Sequence, residues 1–161
     1  MSMDTAITPP VERPNYLNQE HGVWSWLLTV DHKRIALLYL ASVTFFFFIG
    51  GLFALMVRLE LLTPAGDLMQ ADTYNKAFTM HGMVMVFFFL IPVVPAILGN
   101  FLIPIMIGAK DLAFPKINLL SWYLYIIGGG LMIHCILTGG VDTGWTFLHA
   151  VQHGIYEYQD Y

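Results

Sequence analysis

Charge is scarce in this chain. Of its 161 residues, 7 are lysine or arginine and 11 are aspartate or glutamate, so that only 11% are charged. A soluble globule of this size needs more charge than that to cover its surface, so we expect a membrane protein. The few charges form no basic patch, which argues against a nucleic-acid partner.

Cysteine is also nearly absent. Cys135 is the only one, so an intrachain disulfide is excluded and the redox compartment is not indicated. The first 30 residues are polar and lack a short apolar core followed by a cleavage site, so we expect no secretory signal peptide. Residues 1–24 are predicted to form a polar N-terminal arm.

Long apolar runs dominate the rest of the sequence. Mean hydropathy is +0.65, and three segments carry no Asp, Glu, Lys or Arg: residues 35–57, 77–109 and 117–141. Each exceeds the roughly 20 residues that cross a hydrocarbon core of about 30 Å. We therefore predict an all-α membrane protein with three transmembrane helices, at about 35–58, 75–106 and 117–141.

The second of these spans contains Pro92, Pro95 and Pro104. Proline within a helix frees a carbonyl group, and in a membrane that group must find a partner on a neighbouring helix. The three helices are therefore predicted to be part of a larger bundle.

The basic residues predict an orientation. Lys33 and Arg34 precede the first span, and Lys110 and Lys116 lie between the second and third. By the positive-inside rule, the N-terminus and this second loop face the cytoplasm. His81 would then lie toward the outer side and Asp111 toward the inner side. Two tryptophans in residues 22–28 indicate a segment at the membrane interface.

His81 lies within an apolar span, where a histidine is costly. Imidazole is a common ligand of haem iron and copper, and its neutral form is tolerated in such a span. Alternatively, His81 is hydrogen-bonded to a neighbouring helix and is purely structural. Taken alone, the residue favours neither reading.

Asp111, Asn100 and Asn118 form a second polar set at the other end of the same span. A carboxylate at the inner mouth can collect protons from water, and the two amides can hold a chain of ordered water. The plainer alternative is a loop aspartate beside Lys110 with two helix-end amides, which the residues alone favour.

Arg58 and Trp145 are predicted at the outer interface. Arginine there usually extends its charge toward lipid headgroups. In the sharper alternative, Arg58 anchors an acidic or carbonyl substituent of a cofactor held by His81. Tryptophan is common at this depth without any specific role.

Several short motifs occur in a fixed order between residues 25 and 146. They are Asp31-His-Lys-Arg-Ile35, Arg58-Leu-Glu60, Met80-His81-Gly82, Gly99-Asn100, Pro104-Ile-Met-Ile-Gly-Ala109, Asp111-Leu-Ala-Phe-Pro115 and Gly144-Trp-Thr146. Together they resemble the N-terminal quarter of subunit I of the haem-copper oxidases, in the A-type cytochrome c oxidase branch. The resemblance implies a subunit of about twelve helices.

The resemblance assigns roles to single residues. His81 is expected to be an axial ligand of the low-spin haem, a haem A whose formyl group Arg58 contacts. Asp111, Asn100 and Asn118 are expected to form the entrance of the D proton channel. Glu60 matches a carboxylate of a peripheral cation site, and Trp145 a tryptophan near the haem propionates. High-spin haem and copper belong to the complete subunit and would not be ligated by this chain.

The resemblance also implies a function. We expect part of a terminal respiratory oxidase that oxidises cytochrome c, reduces oxygen to water and pumps protons across a bacterial plasma membrane. Its partners would be the remaining helices of subunit I, subunits II and III, cytochrome c and the lipid bilayer. Two alternatives stay open: a quinol oxidase of the same fold, and a non-catalytic three-helix membrane scaffold.

The sequence departs from the family pattern in two places. Lys110 replaces the usual proline beside Asp111, and residues 147–161 form a tail that we treat as divergent. Three helices in place of about twelve lead us to expect a truncated, split or frameshifted subunit, inactive on its own.

Overall fold

A computed structural model describes residue 15, residues 22–64 and residues 68–141 of the chain. These residues form a short helix α1 (Val23–Leu27) and three long helices, α2 (His32–Glu60), α3 (Ala71–Ile107) and α4 (Pro115–Leu137), with no strand among them. Each long helix is long and apolar enough to cross a membrane. The predicted all-α fold with three transmembrane helices is confirmed. Trp145 and the tail lie outside the described residues.

Helix α2 begins three residues before the predicted span and ends two residues after it. At its start, the Asp31 carboxylate accepts the backbone N–H of Lys33 at 2.8 Å, a normal N-terminal cap. At its end, the carboxylate of Glu60 accepts the N–H groups of Leu68 and Met69 at 3.1 and 2.9 Å. Hydropathy cannot detect polar contacts of this kind, so the predicted span is shorter than the helix at both ends.

The middle of α3 is π-helical, over Val84–Leu90 and Val93–Leu98. Pro92 has no N–H to give to the carbonyl of Phe88, four residues earlier. The hydroxyl of Tyr125 on α4 donates to that carbonyl at 2.7 Å instead. A neighbouring helix therefore satisfies a backbone group that proline freed, as membrane packing requires.

Helix α3 stops at Gly108, which adopts a left-handed conformation with φ of 67°. The next residue, Ala109, returns its N–H to the carbonyl of Pro104 at 2.9 Å. This is a common helix ending that only glycine adopts without strain. It turns the chain into the short loop that carries Asp111.

Helix α2 packs against both α3 and α4, and two apolar clusters fill the space between the helices. One joins Ile35, Tyr39, Val43, Ile97 and Trp122. The other joins Phe46, Met80, Val84 and Met132. We name the two ends of the bundle after their polar residues. The Asp111 end holds the start of α2, the end of α3 and the start of α4, and the Arg58 end holds the opposite termini.

Large apolar side chains cover the outside of the bundle. Phe48 is 65% exposed, Met106 80% and Leu137 80%. Such continuous apolar surface is incompatible with water but suits lipid tails or further helices. The chain is an integral membrane protein.

Candidate functional sites at the two ends of the bundle

His81 lies on α3, just before the π-helical segment, and its ring is held by α2. Its Nδ1 donates to the backbone carbonyl of Gly50 at 2.9 Å. Because a carbonyl oxygen can only accept, this bond leaves Nε2 as the nitrogen with a lone pair in the neutral ring. Among the described residues, Nε2 has no hydrogen-bond partner.

The bond to Gly50 fits both readings of His81, because a structural histidine and a metal-binding one can each donate to a neighbouring helix. Metal-bound histidines usually donate their second ring N–H to a carbonyl or carboxylate, which fixes the ring and strengthens the ligand. The Gly50 carbonyl meets that need. The half-buried imidazole is therefore suited to bind iron through Nε2.

Arg58 is exposed at the end of α2, eight residues beyond Gly50. Eight residues of helix advance by about 12 Å. Within the described part of the chain, the Arg58 guanidinium forms no ion pair or hydrogen bond. Its charge is therefore available to lipid headgroups or to a cofactor at the Arg58 end, the two alternatives that the sequence left open.

Asp111 lies at the opposite end and pairs with a residue that the sequence analysis missed. Its Oδ1 accepts from His32 Nδ1 at 2.8 Å and from the backbone N–H of Leu112 at 2.7 Å. The Asp111 side chain is 45% exposed, whereas that of His32 is 5% exposed. The pair thus connects an exposed carboxylate to a buried imidazole. The two residues are 79 positions apart, so no local pattern could have linked them.

The Asp111–His32 pair lines an open cleft of about 550 Å³. Two lysines and a second carboxylate share this cleft: Lys33, Lys110 and Asp31. The cleft is wide enough for many water molecules. Asp111 therefore has direct contact with water, as a proton-collecting group requires.

Asn100 and Asn118, which were expected to hold ordered water, are hydrogen-bonded directly to each other. Asn118 Nδ2 donates to Asn100 Oδ1 at 2.6 Å, and Asn100 Nδ2 donates to Asn118 Oδ1 at 3.3 Å. Asn100 is only 3% exposed and also donates to the carbonyl of Ala96 at 2.6 Å. Seven residues before the end of α3, it lies about 11 Å inside that end.

Further polar groups continue inward from the asparagines. Ser121 Oγ donates to the carbonyl of Asn118 at 2.6 Å and is hydrogen-bonded to Tyr39 Oη at 2.8 Å. With both asparagines, these residues line an open groove of about 310 Å³ formed by α2, α3 and α4. Hydrogen bonds thus connect Asn118, Ser121 and Tyr39, whereas none links Asp111 to the asparagines among the described residues. Tyr39 and Ser121 were not predicted from the sequence, because their helical spacing resembles ordinary packing.

Glu60 is 8% exposed, and its carboxylate is satisfied in part by the two backbone N–H groups of Leu68 and Met69. A buried carboxylate without donors would be costly. Within residues 22–64 and 68–141, no three His, Cys, Asp or Glu side chains gather as a metal site. The cation site expected at Glu60 therefore stays a prediction.

The chain matches the model of the family described as "Cytochrome C and Quinol oxidase polypeptide I" over residues 34–158. This range includes most of the tail at residues 147–161. Residues 34–64 and 68–141 of the matched range are described structurally, and they contain the candidate residues His81, Asp111, Asn100 and Asn118.

Curated relatives agree with this match. The protein named cytochrome c oxidase subunit 1 of Thermostichus vulcanus is 38% identical over 141 residues, which are 85% of this chain and 26% of the relative. The protein of the same name from Bacillus subtilis (strain 168) is 41% identical, over 83% of this chain and 22% of the relative. The one from Bacillus sp. (strain PS3) is 45% identical, over 77% of this chain and 20% of the relative. The chain thus spans about a quarter or less of the length of these relatives. It belongs to the cytochrome c and quinol oxidase polypeptide I family, as its motifs predicted.

Proposed function

We propose that this chain provides one axial ligand of a low-spin haem and the entrance of a proton channel to a terminal respiratory oxidase. The haem-ligand assignment rests on the 2.9 Å hydrogen bond between His81 Nδ1 and the Gly50 carbonyl. It orients the imidazole with Nε2 as the metal-binding nitrogen. Family membership makes haem and copper the relevant cofactors.

At the Arg58 end, His81 and Arg58 are the residues that would hold the haem. The Gly50 carbonyl keeps the His81 ring in place, and the Arg58 guanidinium would donate to the formyl oxygen if the haem is haem A. Trp145 would lie near the propionates. The haem, when bound, supplies one-electron transfer toward the oxygen-reducing centre.

The rest of the oxygen chemistry needs ligands beyond this set. A six-coordinate low-spin haem requires a second axial ligand, and the high-spin haem and copper need their own. We assign these to the remaining helices of subunit I. The chain alone is therefore expected to consume no oxygen, and oxygen consumption by the purified chain would contradict this.

At the other end, Asp111 takes protons from the aqueous cleft. His32 donates to its Oδ1, and deeper in the bundle the asparagine pair lies beside Ser121, which is hydrogen-bonded to the Asn118 carbonyl and to Tyr39. Hydroxyl and amide groups both donate and accept, so they can hold a chain of ordered water, and the protons would pass along that water. We assign Asp111 to the cytoplasmic side of a bacterial plasma membrane, which also places the N-terminus in the cytoplasm.

We assign cytochrome c as electron donor and subunits II and III as partners, because the relatives are named cytochrome c oxidase subunit 1. The family description also covers quinol oxidases, so quinol is the second candidate donor. Turnover of the assembled enzyme with reduced cytochrome c and with a quinol separates the two.

The haem assignment is tested in subunit I assembled with this chain. His81→Ala should abolish the absorption of the low-spin haem, because Nε2 is lost. His134→Ala is the matched control, since it removes another histidine within a membrane span and should leave the spectrum intact. Retention of the low-spin spectrum in His81→Ala would refute the ligand role and favour a non-catalytic scaffold.

The proton channel is tested in the same assembly with Asp111→Asn. Proton uptake should slow on the order of 10²-fold, the range typical of a positioned proton-transfer group, while both haem spectra stay unchanged. Asp72→Asn, at the Arg58 end and paired with Lys76, is the control. Normal turnover and pumping in Asp111→Asn would show that Asp111 is an ordinary loop residue.

A further inference from the structure

The short loop between α3 and α4 holds Lys110 in a defined place. The residue before it, Ala109, returns its N–H to the carbonyl of Pro104 at 2.9 Å. On the other side, the N–H of Leu112 donates to Asp111 Oδ1 at 2.7 Å. Hydrogen bonds therefore anchor the backbone on both sides of Lys110, directly beside the residue that we propose to collect protons.

Lys110 shares the aqueous cleft with Asp111 but does not pair with it. Both residues are exposed and line the cleft of about 550 Å³. Asp111 Oδ1 accepts from His32 at 2.8 Å, and among the described residues no ion pair joins Lys110 to Asp111 or Asp31. The ammonium group of Lys110 thus lies in water, where it acts on the Asp111 carboxylate through space.

Other charged groups also face this cleft. Helix α2 contributes Asp31, His32 and Lys33, and the loop contributes Lys110 and Asp111. The charge of Lys110 stands out by position, because it is attached to the residue next to Asp111. Its effect on Asp111 depends on the separation of these two groups and not on the net charge of this end of the bundle.

We propose that Lys110 slows the entry of protons at Asp111 and makes that entry sensitive to ionic strength. A cation beside a carboxylate favours its ionised form and repels incoming protons. Two unit charges roughly 7 Å apart in water, a separation that a lysine on the adjacent residue can reach, interact by an energy equivalent to about a factor of three. The proposal rests on the proton-collecting role proposed for Asp111.

The test uses subunit I assembled with this chain in lipid vesicles. Proton uptake from the Asp111 side is measured at alkaline pH, where protons are scarce. At low salt, about 10 mM, Lys110→Gln should take up protons about threefold faster than the wild-type chain. At about 0.5 M salt the two should differ little, because the screening length falls to about 4 Å. In a pH series at low salt, half-maximal uptake should move up by about 0.4 pH units in Lys110→Gln.

Control variants separate charge from structure. Lys110→Arg keeps the charge and should retain the slow uptake, whereas Lys110→Ala, a second neutral variant, should match Lys110→Gln. Lys76→Gln removes a lysine from the Arg58 end and should leave uptake unchanged. The haem spectra should be the same in every variant, because the substituted positions are exposed in the loop or lie at the opposite end from Asp111.

Two results would overturn the proposal while leaving the role of Asp111 intact. One is equal uptake by Lys110→Gln and the wild-type chain at low salt, with Asp111→Asn still slow. The other is a gain in Lys110→Gln that persists at about 0.5 M salt, since an effect of exposed charge must be screened there. Normal uptake in Asp111→Asn would instead refute the proposed proton entrance, and the role of Lys110 with it.

Discussion

Replacing Gly50 by alanine should weaken the packing of α2 against α3, whereas the same change at Gly51 should not. A Cβ atom at Gly50 would lie 2.7 Å from Met85 Sδ, 2.9 Å from Met85 Cγ and 3.2 Å from Val84 Cγ1. At Gly51, no atom lies within 4 Å of the added carbon. Two adjacent glycines in one helix thus differ in the side chains that lie next to them.

The size of the effect follows from these distances. Carbon atoms in contact prefer about 3.5–4.0 Å, so Met85 must move by roughly 1 Å. Its flexible thioether can absorb part of that shift, but Val84 is fully buried and cannot. Overpacking of this kind costs about 1–3 kcal/mol. Because the helices persist in the membrane before they associate, the helix propensity of alanine contributes little to either variant.

The measurement is the free energy of unfolding of the purified chain in lipid bicelles, by a titration with dodecyl sulfate. Tryptophan fluorescence reports the separation of the helices. Gly50→Ala should be less stable than Gly51→Ala by about 1–3 kcal/mol, and Gly51→Ala should match the wild-type chain. Equal stabilities for the two variants would show that Met85 and Val84 on α3 do not lie as close to Gly50 as these distances require.

Two further predictions concern single hydrogen bonds. Tyr125→Phe should leave the Phe88 carbonyl without its donor and lower stability by about 0.6–1.7 kcal/mol, the range for such bonds in membranes; an unchanged unfolding titration would contradict this. Glu60→Gln should weaken the hydrogen bonds that the side chain accepts from the N–H groups of Leu68 and Met69. Amide hydrogen exchange at these two residues should become about tenfold faster, because hydrogen bonds to charged groups contribute about 1.5–3 kcal/mol. Equal exchange rates in the two proteins would refute the role given to this carboxylate.

Hydropathy predicted the three spans well because apolar length is a property of each segment alone. It predicted the ends less well. The second span was expected from residue 75 and α3 begins at Ala71, and the third was expected to reach residue 141 and α4 ends at Leu137. Asp72, which pairs with Lys76 inside the predicted span, belongs to a helix turn that hydropathy counts as loop. Their ion pair at 2.7 Å supports that turn.

The candidate residues could be selected from the sequence, but their hydrogen-bond partners could not. The motifs singled out His81 and Asp111, yet Gly50 and His32 are their contacts in the structure. Each partner lies on α2, far away in sequence, and is brought close only when the helices pack. Asn100 and Asn118 were expected together at one end of the span, but their direct hydrogen bonds to each other were not predicted.

The π-helical part of α3 has a consequence for how the chain tolerates changes in length. A π-helical turn contains more residues than an α-helical one, so the stretch between His81 and Asn100 holds surplus residues. Loss of one residue there can be absorbed by a return to α-helical geometry, and both side chains keep their faces. The same loss from α2 between Tyr39 and Gly50 would rotate one of these residues by about 100° relative to the other. Natural or engineered length variation should therefore be accepted in the middle of α3 and rejected in α2.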